Sequence, residues 1–322
     1  MPEPLPQQRA ERIRRVEHTL GLPVSKLIES PRTEQYRARI ELTPGADGQL
    51  GYMKHRTHET VAVTHCAVAR PEINELLPHI GAVPRFIQRV GFRSNGSSVV
   101  IHARCKDRHR NKALGWLKSL ETLDVPLALN GRAVYLDPLT QLTVAGIQHK
   151  LSPATFYQVN LEVNDQLVAD VLEDVQKIGP TAVLDLFSGA GNFSMPIAQT
   201  GRPVTMIEAH PTATKDARRT AAAHGINADI RTSGAEHYQA GDAFFDLAIL
   251  DPPRRGAGAV LEQVLTTRPG AVVLVSCNPK TLAADLHRAN SHGYAMNSVR
   301  LYEMFPHTDH VESMGILMRS HA

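Results

Sequence analysis

After Ser152 the chain settles into short apolar runs at strand length: TAVLDLF, PVTMIEA, ADIRT, FFDLAILD and GAVVLVS. Helical stretches, including ATKDARRTAAAHG and GAVLEQVLTT, lie between several of them. Strands that alternate with helices predict a parallel sheet covered on both faces. Two further runs, AMNSVRLYEMF and VESMGILMR, have only FPHTDH between them. So short a link cannot hold a parallel crossover, and these two are expected to pair antiparallel. The expected fold class is α/β, a mostly parallel sheet ending in an antiparallel hairpin.

The first half has a different rhythm. Residues 9–20 read as a short basic helix. YRARIELT, GQLGYMK, ETVAVTHCAV, FIQRVGFRS and SSVVIHARC read as strands, separated by the turn compositions PGADG, RPE and SNGSS. A helix around NKALGWLKSLETL and a hairpin, RAVYLD-PLTQ-LTVAGIQHKL, follow. The division expected is a small β-rich α+β domain over 1–150 and an α/β domain over 151–322. Charge divides the same way. Residues 1–150 carry 22 Lys and Arg against 14 Asp and Glu, whereas the remainder carries 13 against 18. A basic half joined to an acidic half points to a polyanion-binding part and a separate working part.

Composition excludes several classes. The N-terminus has charge but no apolar core segment, so it does not read as a signal peptide, and no run approaches the ~18 apolar residues of a membrane span. The 3 cysteines include no CxxC pair, which leaves neither a disulfide framework nor a self-contained zinc site. The default is a reduced, cytoplasmic protein. His55, His58, His65 and Cys66 cluster in sequence, but their spacing fits no zinc pattern and no metal is expected there.

Three strand ends carry chemistry. VLDLFSGAGNFS is strand, glycine turn, then helix; Gly189 and Gly191 let the backbone come close to a ligand at the sheet's C-terminal edge. Glu208 ends the next strand and could accept both hydroxyls of a ribose, or simply be an exposed strand end. DLAILDPPRRG ends a strand in Asp251, which two prolines hold at the cleft or merely at a rigid turn. In SCNPKTLAADL, Asn278 is a plausible N-cap and Pro279 suits the first helical position. Cys277 would then lie beside a helix N-terminus that favours thiolate, although a single cysteine is often just a buried packing residue. Glu312 opens the last strand near His307, Asp309 and His310, either at an edge or paired with a function. Gln158 and Asn160 in LSPATFYQVN could reach the cleft or line a solvated helix face.

Taken in order, FYQVN, LDLFSGAGNFS, DPPRRGA, SCNP and FPHTDHVE resemble the RNA 5-methyluridine methyltransferase family from about Pro31 to the C-terminus. The resemblance implies a Rossmann-like S-adenosylmethionine methyltransferase sheet. It also implies a cofactor and base site of Gln158, Phe187, Gly189, Gly191, Asn192, Glu208 and Asp251. Cys277 matches the family nucleophile and Glu312 the general base. The substrate would be a uridine in RNA, with SCNP and HVES closer to the ribosomal RNA members and transfer RNA the alternative. Many members carry an N-terminal RNA-binding barrel and a four-cysteine iron–sulfur site. Here the chain begins too late for the barrel, and Cys66 resembles only the last of the four ligands, so no cluster is expected. RNA would be held by the basic residues 1–150 of a monomer, with no membrane contact. Three other readings stay in view. A 5-methylcytosine enzyme would place a second cysteine where Arg254 stands. A small-molecule or amino-group methyltransferase would need no nucleophile. A non-catalytic RNA-binding protein would need no cofactor.

Overall fold

The computed structural model describes residues 4–54, 57, 59–239 and 245–320. It divides into two compact units: Met1–Pro31 with Thr143–Gln148 and Glu162–Ala322, and Arg32–Leu142 with His149–Leu161. Helix α1 (Leu5–Leu20) ends at Gly21, whose left-handed backbone lets its N–H reach the carbonyl of Glu17. Strand β1 (Val24–Ile28) follows. The N-terminal segment therefore belongs with the α/β unit, whereas the sequence placed it in the basic domain. The reason is long-range: β1 pairs parallel with a strand some 270 residues later, which no local pattern announces.

The unit over residues 32–161 is built on β2 (Arg39–Pro44), β3 (Leu50–Met53), β4 (Thr60–Ala62), β5 (Ile87–Ser94), β6 (Val99–Cys105), β7 (Leu127–Leu129) and β8 (Arg132–Tyr135), with helices α2 (Pro71–Leu76) and α3 (Arg110–Lys118). Its strand order is β4-β3-β2-β5-β6-β7-β8. β9 (Thr140–Val144) and β10 (Ile147–Leu151) form a separate ribbon. The hairpin expected around PLTQ is thus replaced by two others. β7 and β8 turn at Asn130-Gly131 (φ 50° and 78°), and β9 and β10 turn at Ala145-Gly146 (φ 47° and 81°). Two successive left-handed residues match the strand twist, which a Pro-Leu pair cannot do.

The α/β unit continues with α4 (Leu161–Ile178), β11 (Val183–Leu186), α5 (Ser194–Gln199), β12 (Val204–Glu208), α6 (Pro211–His224), β13 (Asp229–Thr232), β14 (Leu247–Leu250), α7 (Ala259–Thr266), β15 (Ala271–Ser276), α8 (Pro279–Ser291), β16 (Tyr294–Ala295), β17 (Val299–Tyr302) and β18 (Glu312–Arg319). The sheet order is β1-β17-β18-β15-β14-β11-β12-β13. β11 to β15 run parallel, and β18 runs antiparallel to both β15 and β17. Both faces are covered. Val183, Ile249, Val273 and Val275 point into one core with α4, α5 and α6, whereas Leu184, Ala248, Val272 and Leu274 point into the other with α7, α8 and Val16 of α1. This strict alternation explains why the strands read as unbroken apolar runs. Each buried Val or Leu contributes about 1.5–3 kcal/mol. No helix among the described residues is long and apolar enough to cross a membrane.

His55 and His58 lie outside the described residues. His65 is exposed and Cys66 buried, with its sulfur 3.5 Å from the Tyr52 hydroxyl. Among the described residues no group of three His, Cys, Asp or Glu gathers to hold a metal.

Candidate active site

The alternation of β11, β12, β14 and β15 brings their C-terminal ends to one edge of the sheet, and antiparallel β18 contributes its N-terminal end there. The singled-out side chains consequently fall in a row: Glu312, Cys277, Asp251, the glycine turn and Glu208. They are far apart in sequence and become neighbours through strand order alone.

The glycine turn is shaped by left-handed residues. Phe187 (φ 61°), Gly189 (φ 56°) and Gly191 (φ 93°) carry the chain from β11 into α5. A Cβ on Gly191 would sit 2.6 Å from Met195 Cγ, so only glycine fits. Glu208 braces the turn from the next strand. Its carboxylate accepts the Gly189 amide (3.0 Å) and the His210 amide (2.7 Å), and each oxygen keeps a second lone pair for a ligand hydroxyl. Asn192 is held in a reciprocal amide pair with Asn164 of α4, at 2.9 and 3.0 Å. That contact makes Asn192 a clasp between turn and helix. Gln158 is half-buried in the other unit. Its neighbour Asn160 is fully buried in a non-helical segment, so the solvated helix face is not found.

Asp185, one residue before the end of β11, was not singled out from sequence. It is fully buried and accepts a hydrogen bond from Ser194. Its Oδ1 has no hydrogen-bond partner among the described residues, and neither has the buried Ser188 hydroxyl. Burial, with smaller effects from Asp251 and Glu208, lifts its carboxyl to about 7. Orphan polar atoms beside the glycine turn, with the Glu208 carboxylate next to them, suit a ligand rich in amino and hydroxyl groups such as S-adenosylmethionine.

Cys277 follows Ser276, which pairs with Ser313 in the β15–β18 register. Cys277 lies just beyond the end of β15 and Glu312 at the start of β18, near enough for the carboxyl to act on the thiol. Asn278 caps α8 as the sequence suggested, accepting the Lys280 amide at 3.1 Å with Pro279 in the first turn. Despite that cap, burial raises the half-buried Cys277 thiol, and Glu312 and Asp251 raise it further; Arg254, by charge and hydrogen bond, works the other way. Glu312 is almost fully buried. Burial and the adjacent Asp251 hold its carboxyl well above the usual range, while Arg254 opposes this. Asp251 is itself pushed up to about 7 by burial. The site is therefore a thiol and two buried carboxyls, each pushed towards its protonated form.

Arg254 is the counter-charge, and sequence reading used it only to exclude other chemistry. Its backbone carbonyl accepts from Asn278 Nδ2 at 3.2 Å, and its guanidinium donates to the His310 ring, 2.6 Å from Nδ1. Asp285 of α8 fixes the same loop by accepting the amides of Ala257 and Gly258, both at 2.9 Å. Arg254, Cys277, Lys280, Asp309 and His310 line a cavity of about 310 Å³ that opens beside the thiol. The signal for Arg254 was present in DPPRRG, but its proximity to Cys277 is a product of folding.

Residues 236–321 match the family model described as tRNA (Uracil-5-)-methyltransferase, and residues 183–252 match one described as Methyltransferase domain. The 23S rRNA (uracil(1939)-C(5))-methyltransferase RlmD of Vibrio campbellii is 34% identical over 309 residues, covering 88% of this chain and 70% of that protein. The protein of the same name from Salmonella choleraesuis is 31% identical, with the same coverage of 88% and 70%. Among solved structures, the Pyrococcus abyssi tRNA (uracil-54, C5)-methyltransferase in complex with S-adenosyl-L-homocysteine superposes with a TM-score of 0.80 at 22% identity. It covers 98% of this chain and 84% of that one, a likeness that shows the fold.

Proposed function

This chain belongs to the RNA uracil-C5 methyltransferase family, and from that premise we propose that it methylates C5 of a uridine in ribosomal RNA, with Cys277 as nucleophile and Glu312 as base. The observation that carries the assignment of roles is the nearness of Glu312, Asp251 and Arg254 to the Cys277 thiol, just past the Ser276–Ser313 pair of β15 and β18. The related proteins from Vibrio and Salmonella, named for 23S rRNA, favour ribosomal over transfer RNA.

The residue types follow from the chemistry of uracil. C5 is a weak carbon nucleophile until a thiolate adds to C6 and converts the ring to an enolate. S-adenosylmethionine, when bound, supplies the methyl group and a positive sulfonium. Arg254 beside the thiol favours loss of the Cys277 proton to solvent. Cys277 Sγ then bonds C6, and the enolate's electron pair forms the C5–CH3 bond as the sulfonium's S–CH3 bond breaks and a neutral thioether leaves. Ionised Glu312 removes the C5 proton, the C5=C6 bond re-forms, and the Sγ–C6 bond breaks to release Cys277. A carboxyl whose hold on a proton is strengthened by burial and by Asp251 suits that exchange.

Target uridines must leave their stack to reach this edge. Residues 32–142 and 149–161 hold 17 Lys and Arg against 10 Asp and Glu, which supports phosphate binding by that unit of a monomeric, cytoplasmic enzyme. The α/β unit would carry cofactor and base, whereas Gln158 belongs to the other unit.

The test is incubation of the protein with labelled S-adenosylmethionine and total RNA from a strain lacking the gene, followed by nucleoside analysis. Labelled 5-methyluridine is expected; its absence overturns the reading. Cys277→Ala should be inactive, and Glu312→Gln should accumulate a protein–RNA adduct because elimination stalls. Activity surviving Cys277→Ala would favour a methyltransferase that needs no nucleophile.

A further inference from the structure

Helix α1 touches both elements that carry this chemistry. Val16 packs in one core with Leu282, Leu286 and Ala289 of α8, the helix that begins two residues after Cys277. Arg9, Arg12 and Arg15, spaced three apart on one face of α1, reach the loop of residues 303–311 that leads into Glu312. Glu303 is fully buried. Its carboxylate accepts from Arg9 Nη2 at 2.7 Å, Arg12 Nη1 at 3.0 Å and the Ser30 amide at 3.1 Å. Arg12, only 2% exposed, donates its other terminal nitrogen to the Thr308 carbonyl at 2.9 Å. Arg15 donates to the Asp309 carbonyl at 2.6 Å and pairs with its side chain at 3.1 Å. The next residue is His310, which receives Arg254.

A buried ion pair contributes little net stability compared with apolar side chains of the same size. What the planar guanidinium fork adds is direction, because it fixes two acceptors at once. Here those acceptors are the first residue of one loop, Glu303, and a carbonyl in its middle, Thr308. We infer that Arg12 is a positioning residue: by tying Glu303 and Thr308 to α1 it sets the path of residues 303–311, and so the placement of Glu312 against Cys277. The inference rests on the assignment of Cys277 and Glu312 proposed above. It also removes Arg9 and Arg12, though not the half-exposed Arg15, from the RNA-binding surface expected of the basic first half.

The test uses the full chain. Arg12→Met should lower kcat for RNA methylation by about a hundredfold, the order expected for a displacement of about 1 Å, with KM for RNA within about twofold. Arg12→Lys should recover part of the loss, since one ammonium lacks the fork. Arg12→Met leaves Glu303 poorly compensated and can fail to fold, so the decisive protein is Arg12→Met/Glu303→Gln, which removes both charges. It is expected to match the wild-type Tm yet stay slow, with faster hydrogen exchange confined to residues 304–311. Wild-type kcat in the double variant would overturn the inference. So would a raised KM with a salt slope reduced by about one, which would make Arg12 a phosphate contact. If the wild type makes no 5-methyluridine, the functional proposal fails. Hydrogen exchange then still judges the tether, and unchanged exchange at 304–311 overturns it.

Discussion

Replacing Asp185 by Asn should flatten the dependence of stability on pH. The side chain is fully buried, with one oxygen on Ser194 and the other without a hydrogen-bond partner among the described residues. Its carboxyl rises from an ordinary 3.8 to about 7. A folded-state value above the unfolded one means the native protein holds this proton more tightly. Its contribution is therefore complete below about pH 4 and lost as pH climbs to about 7. A rise of about three pH units corresponds to about 4 kcal/mol, lost at about 1.4 kcal/mol per pH unit across that window. Asn does not titrate, and its carbonyl oxygen can still accept from Ser194. Urea unfolding at pH 4.5, 5.5, 6.5 and 7.5 should show the wild type losing about 2.5 kcal/mol relative to the variant between the first and third of these. Glu312 and Asp251 add a loss of the same sign that the variant retains. Curves for the two proteins that differ only by a constant would show Asp185 already ionised in the native state, and the burial argument would fall.

Other outcomes follow from local geometry. Gly191→Ala should destabilise by about 2–4 kcal/mol through overpacking against Met195 and a left-handed backbone, read as a fall in Tm with weakened cofactor binding in calorimetry. Asn278→Ala should lower stability by about 1 kcal/mol through loss of the cap. Asn278→Asp should keep the cap, but it loses the donor to the Arg254 carbonyl, so its kcat should fall more than its Tm. Glu208→Ala should weaken S-adenosylmethionine binding about tenfold or more, given the 1.5–3 kcal/mol typical of charge-assisted hydrogen bonds, while RNA binding measured separately stays unchanged. RNA affinity itself should fall steeply and linearly on a log–log plot against salt.

The α/β alternation, the antiparallel end and the cap at Asn278 were legible because each is local: periodicity, link length and one residue's backbone preference state them directly. The row from Glu312 to Glu208 was legible as a set of strand ends once the sheet was assumed parallel. Asp185 was invisible because it reads as one polar residue in a strand, and only burial on both faces makes it costly. Arg12 and Glu303 were invisible for another reason: they lie 291 residues apart, and each alone reads as surface charge. The misplaced hairpin at PLTQ shows the opposite failure, in which a proline outweighed the better turn formers Asn130-Gly131 and Ala145-Gly146.

Strand β18 has a consequence for how such a chain is made. It leaves the ribosome after every other strand of its sheet, yet its place is between β15 and β17 rather than at an edge. Until it emerges, β15 exposes unpaired backbone groups, and β17 with β1 has no neighbour through which to join the rest. The nascent unit must wait as an open sheet, prone to wrong pairing, and close in one late event. That same event delivers Glu312 to its place near Cys277. Synthesis thus completes the sheet and assembles the site in a single step, and an incompletely translated chain would hold the thiol without the Glu312 carboxylate.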